Sequence, residues 1–174
     1  CCMRKLLVVV DMQNDFVHGS LGSEEARKIE CNVVNKIRDF DGDVVVTMDT
    51  HDKYYLCTNE GKKLPVKHCI KLTDGWALTN EVNLALTAHH TYKTIFKETF
   101  GSLYLADYVA EKDYEEIEMI GVCTDICVIS NALLIKAFLP EVEVAVDAKC
   151  CAGVTPESHR NALEAMKMCQ ITVK

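Results

Sequence analysis

The chain has 174 residues, of which 49% are hydrophobic and 26% charged, and its net charge is −7. That length and balance suit one domain, residues 1–174, around one core. An acidic chain without a basic block argues against nucleic acid as the main partner, and no apolar run approaches the ~20 residues a membrane helix needs.

In chain order, Leu6–Val10 is an unbroken apolar run, as expected for a strand buried on both faces, and it ends in Asp11. A run this short is not the hydrophobic region of a secretory signal. Cys1 and Cys2 stand ahead of Met3, the only plausible start in this segment. Ser23 is placed to cap a helix whose apolar face is Ala26, Ile29, Val33 and Ile37, at spacings of three and four. Asp43–Met48 reads as the second strand, Thr91–Phe96 as the third, Glu116–Ile120 as the fourth, Val142–Val146 as the fifth and Ile171–Val173 as a short sixth. Helices are expected at Thr79–Leu86, Ser102–Ala110, Asp125–Phe138 and Pro156–Met168, the last with Thr155 as its cap. Strands separated by helices imply an α/β, three-layer Rossmann-like fold with a mostly parallel sheet. Thr50–Trp76 breaks the rhythm as a long stretch of little periodicity, and loops of that length are often functional.

The ten cysteines would suggest disulfides in a small secreted protein. Most of them sit in apolar or helical runs, such as Cys31, Cys150 and Cys151, and no pair of C-x-x-C motifs suggests structural zinc. They are read as free thiols in a reducing, cytoplasmic setting.

Ligands of open parallel sheets bind beyond the carboxyl ends of the strands. Those ends carry Asp11, then Asp49 and His51, then Lys97, then the turn "GVCTDICVIS" from Gly121 to Ser130. Cys127 falls in the first turn of the helix after strand four, where backbone N–H groups and the helix dipole favour a thiolate, so a depressed thiol pKa is expected. A cysteine at such a junction also serves as core packing, and Asp11 and Lys97 at neighbouring ends are what favour chemistry. In "DTH", Asp49 and His51 lie two apart and share a face if extended. With Glu60 and His68 from the long loop they form a set that suits Zn, Mn or Fe(II), or they are ordinary polar loop residues. His18, His89, His90 and His159 read as surface residues.

The segments "LLVVVDMQNDF", "VVVTMDTHD", "LPVKHCIKLTDGWAL", "FKETFGS", "GVCTDICVISNALLIKAF" and "DAKCCAGVTPESHRNALEAM" together resemble the isochorismatase-like cysteine hydrolases, nearest the nicotinamidase/pyrazinamidase branch. The resemblance spans nearly the whole chain. It implies a six-stranded parallel sheet flanked by helices and an Asp-Lys-Cys triad that cleaves a carboxamide through a thioester. It makes Asp11 the general base, Lys97 (rather than Lys93) the lysine, and Cys127 the nucleophile. The N–H groups of Cys123 and Cys127 would form the oxyanion hole, the Val122–Cys123 bond would be cis, and Phe16 would pack on the substrate ring. Asp49, His51, Glu60 and His68 would hold one divalent transition metal, with zinc first, that takes a pyridine nitrogen. A small carboxamide substrate and a homo-oligomer are expected. The chain departs from the branch in lacking an aromatic residue shortly before His68-Cys69, and Trp76 lies too far beyond to replace it. Two other readings stand beside this one: a related cysteine hydrolase for another amide or carbamoyl substrate, and a catalytically silent binding or oligomerisation domain.

Overall fold

A computed structural model describes residues 3–89 and 91–174, so Cys1, Cys2 and His90 lie outside the described residues. Six strands form one sheet: β1 (Lys5–Val10), β2 (Asp43–Asp49), β3 (Tyr92–Lys97), β4 (Glu116–Val122), β5 (Glu143–Ala152) and β6 (Thr172–Val173). They run in the order β3-β2-β1-β4-β5-β6, and every neighbouring pair is parallel. The expected mostly parallel α/β architecture is what forms. Each predicted strand is present, β5 extending six residues beyond its expected end.

Side chains alternate across the sheet with a period of two, and both faces are covered. In β1, Leu6, Val8 and Val10 face one core layer and Leu7 and Val9 the other, all with no exposure. This explains why β1 reads as a continuous apolar run. Five longer helices divide between the two faces. On one, α2 (Glu24–Asp39) contributes Val33 and Ile37, and α4 (Asn80–Ala88) contributes Val82 and Leu86. On the other lie α5 (Leu103–Ala110), α6 (Ile129–Phe138) and α7 (Pro156–Met168), through Leu105, Ile135 and Met166. The predicted caps Ser23 and Thr155 are formed, and Thr79 and Ser102, expected inside their helices, are caps as well: each of the four accepts from a backbone N–H of the first turn. Each such cap is worth about 1 kcal/mol.

Two parts differ from the sequence reading. The long connection after β2 holds two short elements, a 3-10 turn at Tyr55–Cys57 and α3 (Asn59–Lys63). Both are too short for a periodicity to register, and α3 declares itself only through the Thr58 cap. The helix expected from Asp125 begins instead with a π-helical segment, Thr124–Val128, in which Val128 N–H donates to the Cys123 carbonyl. A third short helix, α1 (Asn14–Val17), follows β1.

The chain order places the topological switch between β1 and β4, where a crevice opens beyond the strand ends. Val10, the last residue of β1, pairs with Thr47 of β2 on one side and Gly121 of β4 on the other. A Cβ at Gly121 would overlap the Val10 backbone, and its φ of +116° is open to glycine. This close approach brings the turn after β4 against Asp11.

Candidate active site

Asp11 stands just past β1 with a φ of +50°, a left-handed conformation that Asp tolerates better than most residues. Its side chain is fully buried. Oδ1 accepts from the Thr47 hydroxyl at 2.7 Å. Oδ2 has no hydrogen bond of good geometry and faces Lys97 Nζ at 2.7 Å. Lys97, at the end of β3, is 4% exposed. Its ammonium also donates to the Thr99 carbonyl at 3.1 Å and to Cys127 Sγ at 3.4 Å, and lies 3.5 Å from Asp49 Oδ1. One buried cation thus touches the acid, the thiol and the edge of the acidic-histidine set. Asp49 and Lys97 are register partners in the parallel ladder, so strand pairing itself sets their separation.

The electrostatics correct one expectation. Burial, and then the Asp11 charge, push the Cys127 thiol well above its usual range, against the pull of Lys97. Cys127 is 5% exposed and lies inside the π-helical segment, so the helix-terminus stabilisation expected for a thiolate is outweighed by desolvation. Burial also raises the Asp11 carboxyl, with Lys97 opposing and Asp49 adding to the rise. Burial works against the Lys97 charge, but the Asp11 carboxylate more than offsets it and holds the ammonium above its usual range. The resting arrangement is therefore a neutral thiol beside a carboxylate of raised basicity and a fixed cation.

Asp49, His51, Glu60 and His68 converge, each offering one ligand atom, with all four atoms within 4.8 Å of one another. Asp49 Oδ2 lies 2.9 Å from His51 Nε2 and 3.4 Å from His68 Nε2. Glu60 Oε1 lies 3.6 and 3.8 Å from the same two nitrogens. The Val66 carbonyl can only accept, so His68 Nδ1 carries a proton at their 2.8 Å contact, and Nε2 is the nitrogen turned towards Asp49 and Glu60. Burial would raise the Asp49 carboxyl, but its hydrogen bonds with His51 and His68 hold it well below the usual range. Two imidazole nitrogens and two carboxylates around one point fit a divalent transition ion.

A cavity of about 390 Å³ connects the two groups. Its lining includes Cys123 and Cys127, Asp49, Glu60 and His68, and Phe16. Phe16 packs against the His68 ring with centroids 5.4 Å apart. Leu64, Ile126 and Val154 give the remaining walls an aliphatic character. Trp76 is not on this cavity; its indole N–H donates to the Thr50 hydroxyl and its ring packs on Phe96. The Val122–Cys123 peptide bond is cis, as the resemblance implies. His18 is exposed and pairs with Glu30, while His89 bonds to backbone carbonyls. His159 is half-buried rather than at the surface, its Nδ1 2.7 Å from the Thr124 hydroxyl behind the cysteine turn.

Sequence reasoning missed the residues that brace the site. The Gln13 amide donates to the carbonyls of Asp49 and Trp76 and accepts from Asp49 N–H, each at 2.8 Å. Asp15 accepts from Cys69 N–H at 2.8 Å, which pins the segment carrying His68. In "DMQNDF", then, Asp11 faces the thiol, Gln13 and Asp15 hold the neighbouring loops, and Phe16 lines the cavity. Buried Asn131 donates to the carbonyls of Cys127 and Phe100 and accepts from Ser102 N–H, tying the cysteine turn to the segment after Lys97. The spacing within "DMQNDF" was a signal for Gln13 and Asp15; Asn131, inside an apolar helix, was a buried polar group that needed partners.

Known proteins resemble this chain in sequence and in fold. A relative from Bacillus subtilis (strain 168), the isochorismatase family protein PncA, is 32% identical over 173 residues, covering 92% of this chain and 93% of its own. The crystal structure of nicotinamidase PncA from Bacillus subtilis superposes with a TM-score of 0.86 at 27% identity, covering 98% of this chain and 99% of the other. That of the pyrazinamidase of Pyrococcus horikoshii in complex with zinc gives a TM-score of 0.83 at 28% identity, covering 98% of each chain. The isochorismatase domain family matches residues 5–174, and the chain belongs to that family.

Proposed function

We propose that the protein is a cysteine amidase that hydrolyses nicotinamide, or a close aryl carboxamide, to the acid and ammonia. The observation that carries this reading is the Lys97 ammonium, which lies 2.7 Å from Asp11 Oδ2 and 3.4 Å from Cys127 Sγ, with Cys127 lining a cavity that Asp49, Glu60 and His68 also line. The names of the solved relatives support the choice of substrate class.

Asp11 takes the Cys127 proton as sulfur attacks the carboxamide carbon. The backbone N–H groups of Cys123 and Cys127 receive the developing oxyanion. Asp11 returns the proton to the nitrogen, the C–N bond breaks, ammonia leaves and a thioester remains. Water then attacks the thioester and passes a proton to Asp11. The C–S bond breaks, the carboxylic acid departs and the thiol is restored. Lys97 keeps its proton throughout and holds Asp11 ionised and in place. Asp49, His51, Glu60 and His68 would hold one divalent ion, zinc first, and when bound it supplies a Lewis-acid contact for a ring nitrogen. Phe16 stacks along the ring. A one-domain chain, a homo-oligomeric assembly and a cytoplasmic location belong to the same reading; among the described residues no helix is long and apolar enough to cross a membrane.

An ammonia-release assay over four amides tests it. Nicotinamide and pyrazinamide place a ring nitrogen meta to the carboxamide and should both be turned over. Benzamide has no such nitrogen, and picolinamide has it ortho, so both should be rejected strongly, as happens when a buried polar partner is left empty. Equal rates on nicotinamide and benzamide would refute the ring-nitrogen contact. Silence on all four, with Cys127 still open to alkylation, would favour a non-aromatic amide, a reading that the aliphatic wall at Leu64, Ile126 and Val154 also suits.

A further inference from the structure

Tyr55 has no role in the chemistry above, yet it is among the largest fully buried side chains, at 1% exposure. Its ring lies against both imidazoles, with centroids 4.6 Å from His51 and 4.8 Å from His68. Its hydroxyl proton is shared between the Leu64 carbonyl at 3.0 Å and Glu60 Oε1 at 3.3 Å. That carboxylate oxygen is the same one that faces His51 and His68.

The Tyr55 backbone also holds the element that carries Glu60. Its carbonyl accepts from both the N–H and the hydroxyl of Thr58, which caps α3. A Cβ at Gly61 would overlap the same carbonyl, so α3 lies directly on it. At the other end of α3, Leu64 N–H donates to the Glu60 carbonyl, and the Leu64 carbonyl accepts from Tyr55. Tyr55 therefore grips α3 at its start through its carbonyl and at its end through its hydroxyl. A five-residue helix has little stability of its own, so these contacts set where Glu60 points.

From this geometry we infer that Tyr55 is the positioning residue that makes Glu60 a metal ligand. A carboxylate oxygen has two lone pairs; the Tyr55 hydroxyl engages one of Oε1 and leaves the other directed at the point shared with His51 and His68. Without the hydroxyl, Glu60 is half-buried on a short helix and free to turn towards solvent. The inference rests on the metal reading proposed above.

The test is zinc affinity of the full-length chain, measured by competition with a chromogenic chelator, together with the visible spectrum of the cobalt(II)-loaded protein. Tyr55→Phe keeps the ring against both imidazoles and removes only the hydroxyl. It should weaken zinc about 10–100-fold, the usual cost of losing an outer partner, and change the cobalt bands as the ligand set changes. Glu60→Ala should weaken zinc to a similar extent, and adding Tyr55→Phe to Glu60→Ala should cost nothing more. Equal loss from Tyr55→Phe in both backgrounds would mean that the hydroxyl does not act through Glu60 and would overturn the inference. Unchanged zinc affinity in Glu60→Ala would overturn it whether or not Tyr55→Phe folds. Wild-type protein that takes up no zinc removes the metal reading, and this inference with it. Wild type that binds zinc while Tyr55→Phe binds it equally removes the inference alone.

Discussion

Asp11→Asn separates the roles that the buried cluster gives to one carboxylate. Asn keeps the shape and can still accept from the Thr47 hydroxyl, but it cannot take a proton from the thiol. Loss of a general base lowers turnover about 10²–10⁴-fold, equivalent to roughly 3–5 kcal/mol in the barrier. The change also removes the nearest counter-charge of Lys97, an ion pair of 2.7 Å with almost no exposure. Stripping one partner from a buried pair commonly costs ~3–5 kcal/mol. Here Asp49 Oδ1 at 3.5 Å and the Thr99 carbonyl at 3.1 Å remain for the ammonium, and the desolvation of Asp11 itself is relieved. We expect a net loss nearer 2 kcal/mol, or a Tm lower by about 4–8 °C for a chain of this size. The diagnostic assay is kcat/KM against pH. On the proposed mechanism Asp11 must be ionised to accept the thiol proton, so wild-type activity should fall as pH drops through its raised pKa. The groups facing Asp11 are Lys97, Asp49, Thr47 and Cys127; Lys97 is held protonated and Asp49 ionised through that window. In Asp11→Asn the acid limb should disappear, and the residual activity should climb with pH as the thiol begins to ionise unaided. Wild-type kcat/KM with an intact acid limb in Asp11→Asn would refute the proton transfer.

Cys127→Ala should abolish turnover with little change in Tm, and iodoacetamide mapped by mass spectrometry should label Cys127 slowly at neutral pH and faster in alkali, behind exposed Cys31, Cys57 and Cys169. Rapid labelling of Cys127 at neutral pH would contradict the neutral resting thiol. His51→Ala should lose near-stoichiometric metal by elemental analysis, and chelation should remove activity from the wild type; full activity in metal-free protein would sink the metal site. Gln13→Ala deletes three hydrogen bonds and should cost about 2–3 kcal/mol in urea unfolding while also weakening zinc, since it frees the backbone of Asp49. Undiminished stability would mean that the Asp49 strand end is held by other contacts.

The parallel α/β order was legible because both devices that encode it are local. β1 and β2 are apolar enough to be buried on both faces, and Ser23, Thr79, Ser102 and Thr155 mark helix starts within one turn. Strand ends in an open parallel sheet share one rim, so Asp11, Asp49, Lys97 and the cysteine turn could be gathered from sequence before any distance was known. The resemblance added the roles. What lay beyond the sequence depends on long-range burial. The thiol pKa was expected to fall from helix position alone; it rises because Cys127 is desolvated beside Asp11, a residue 116 positions away in the chain. Tyr55, Gln13 and Asn131 carry no signature of chemistry, and only the packed structure shows which carbonyls and carboxylates their polar groups must satisfy. Residue order decided which groups reach the rim. Their protonation, and the rigidity with which the rim is held, were decided by which of them the tertiary fold removes from water.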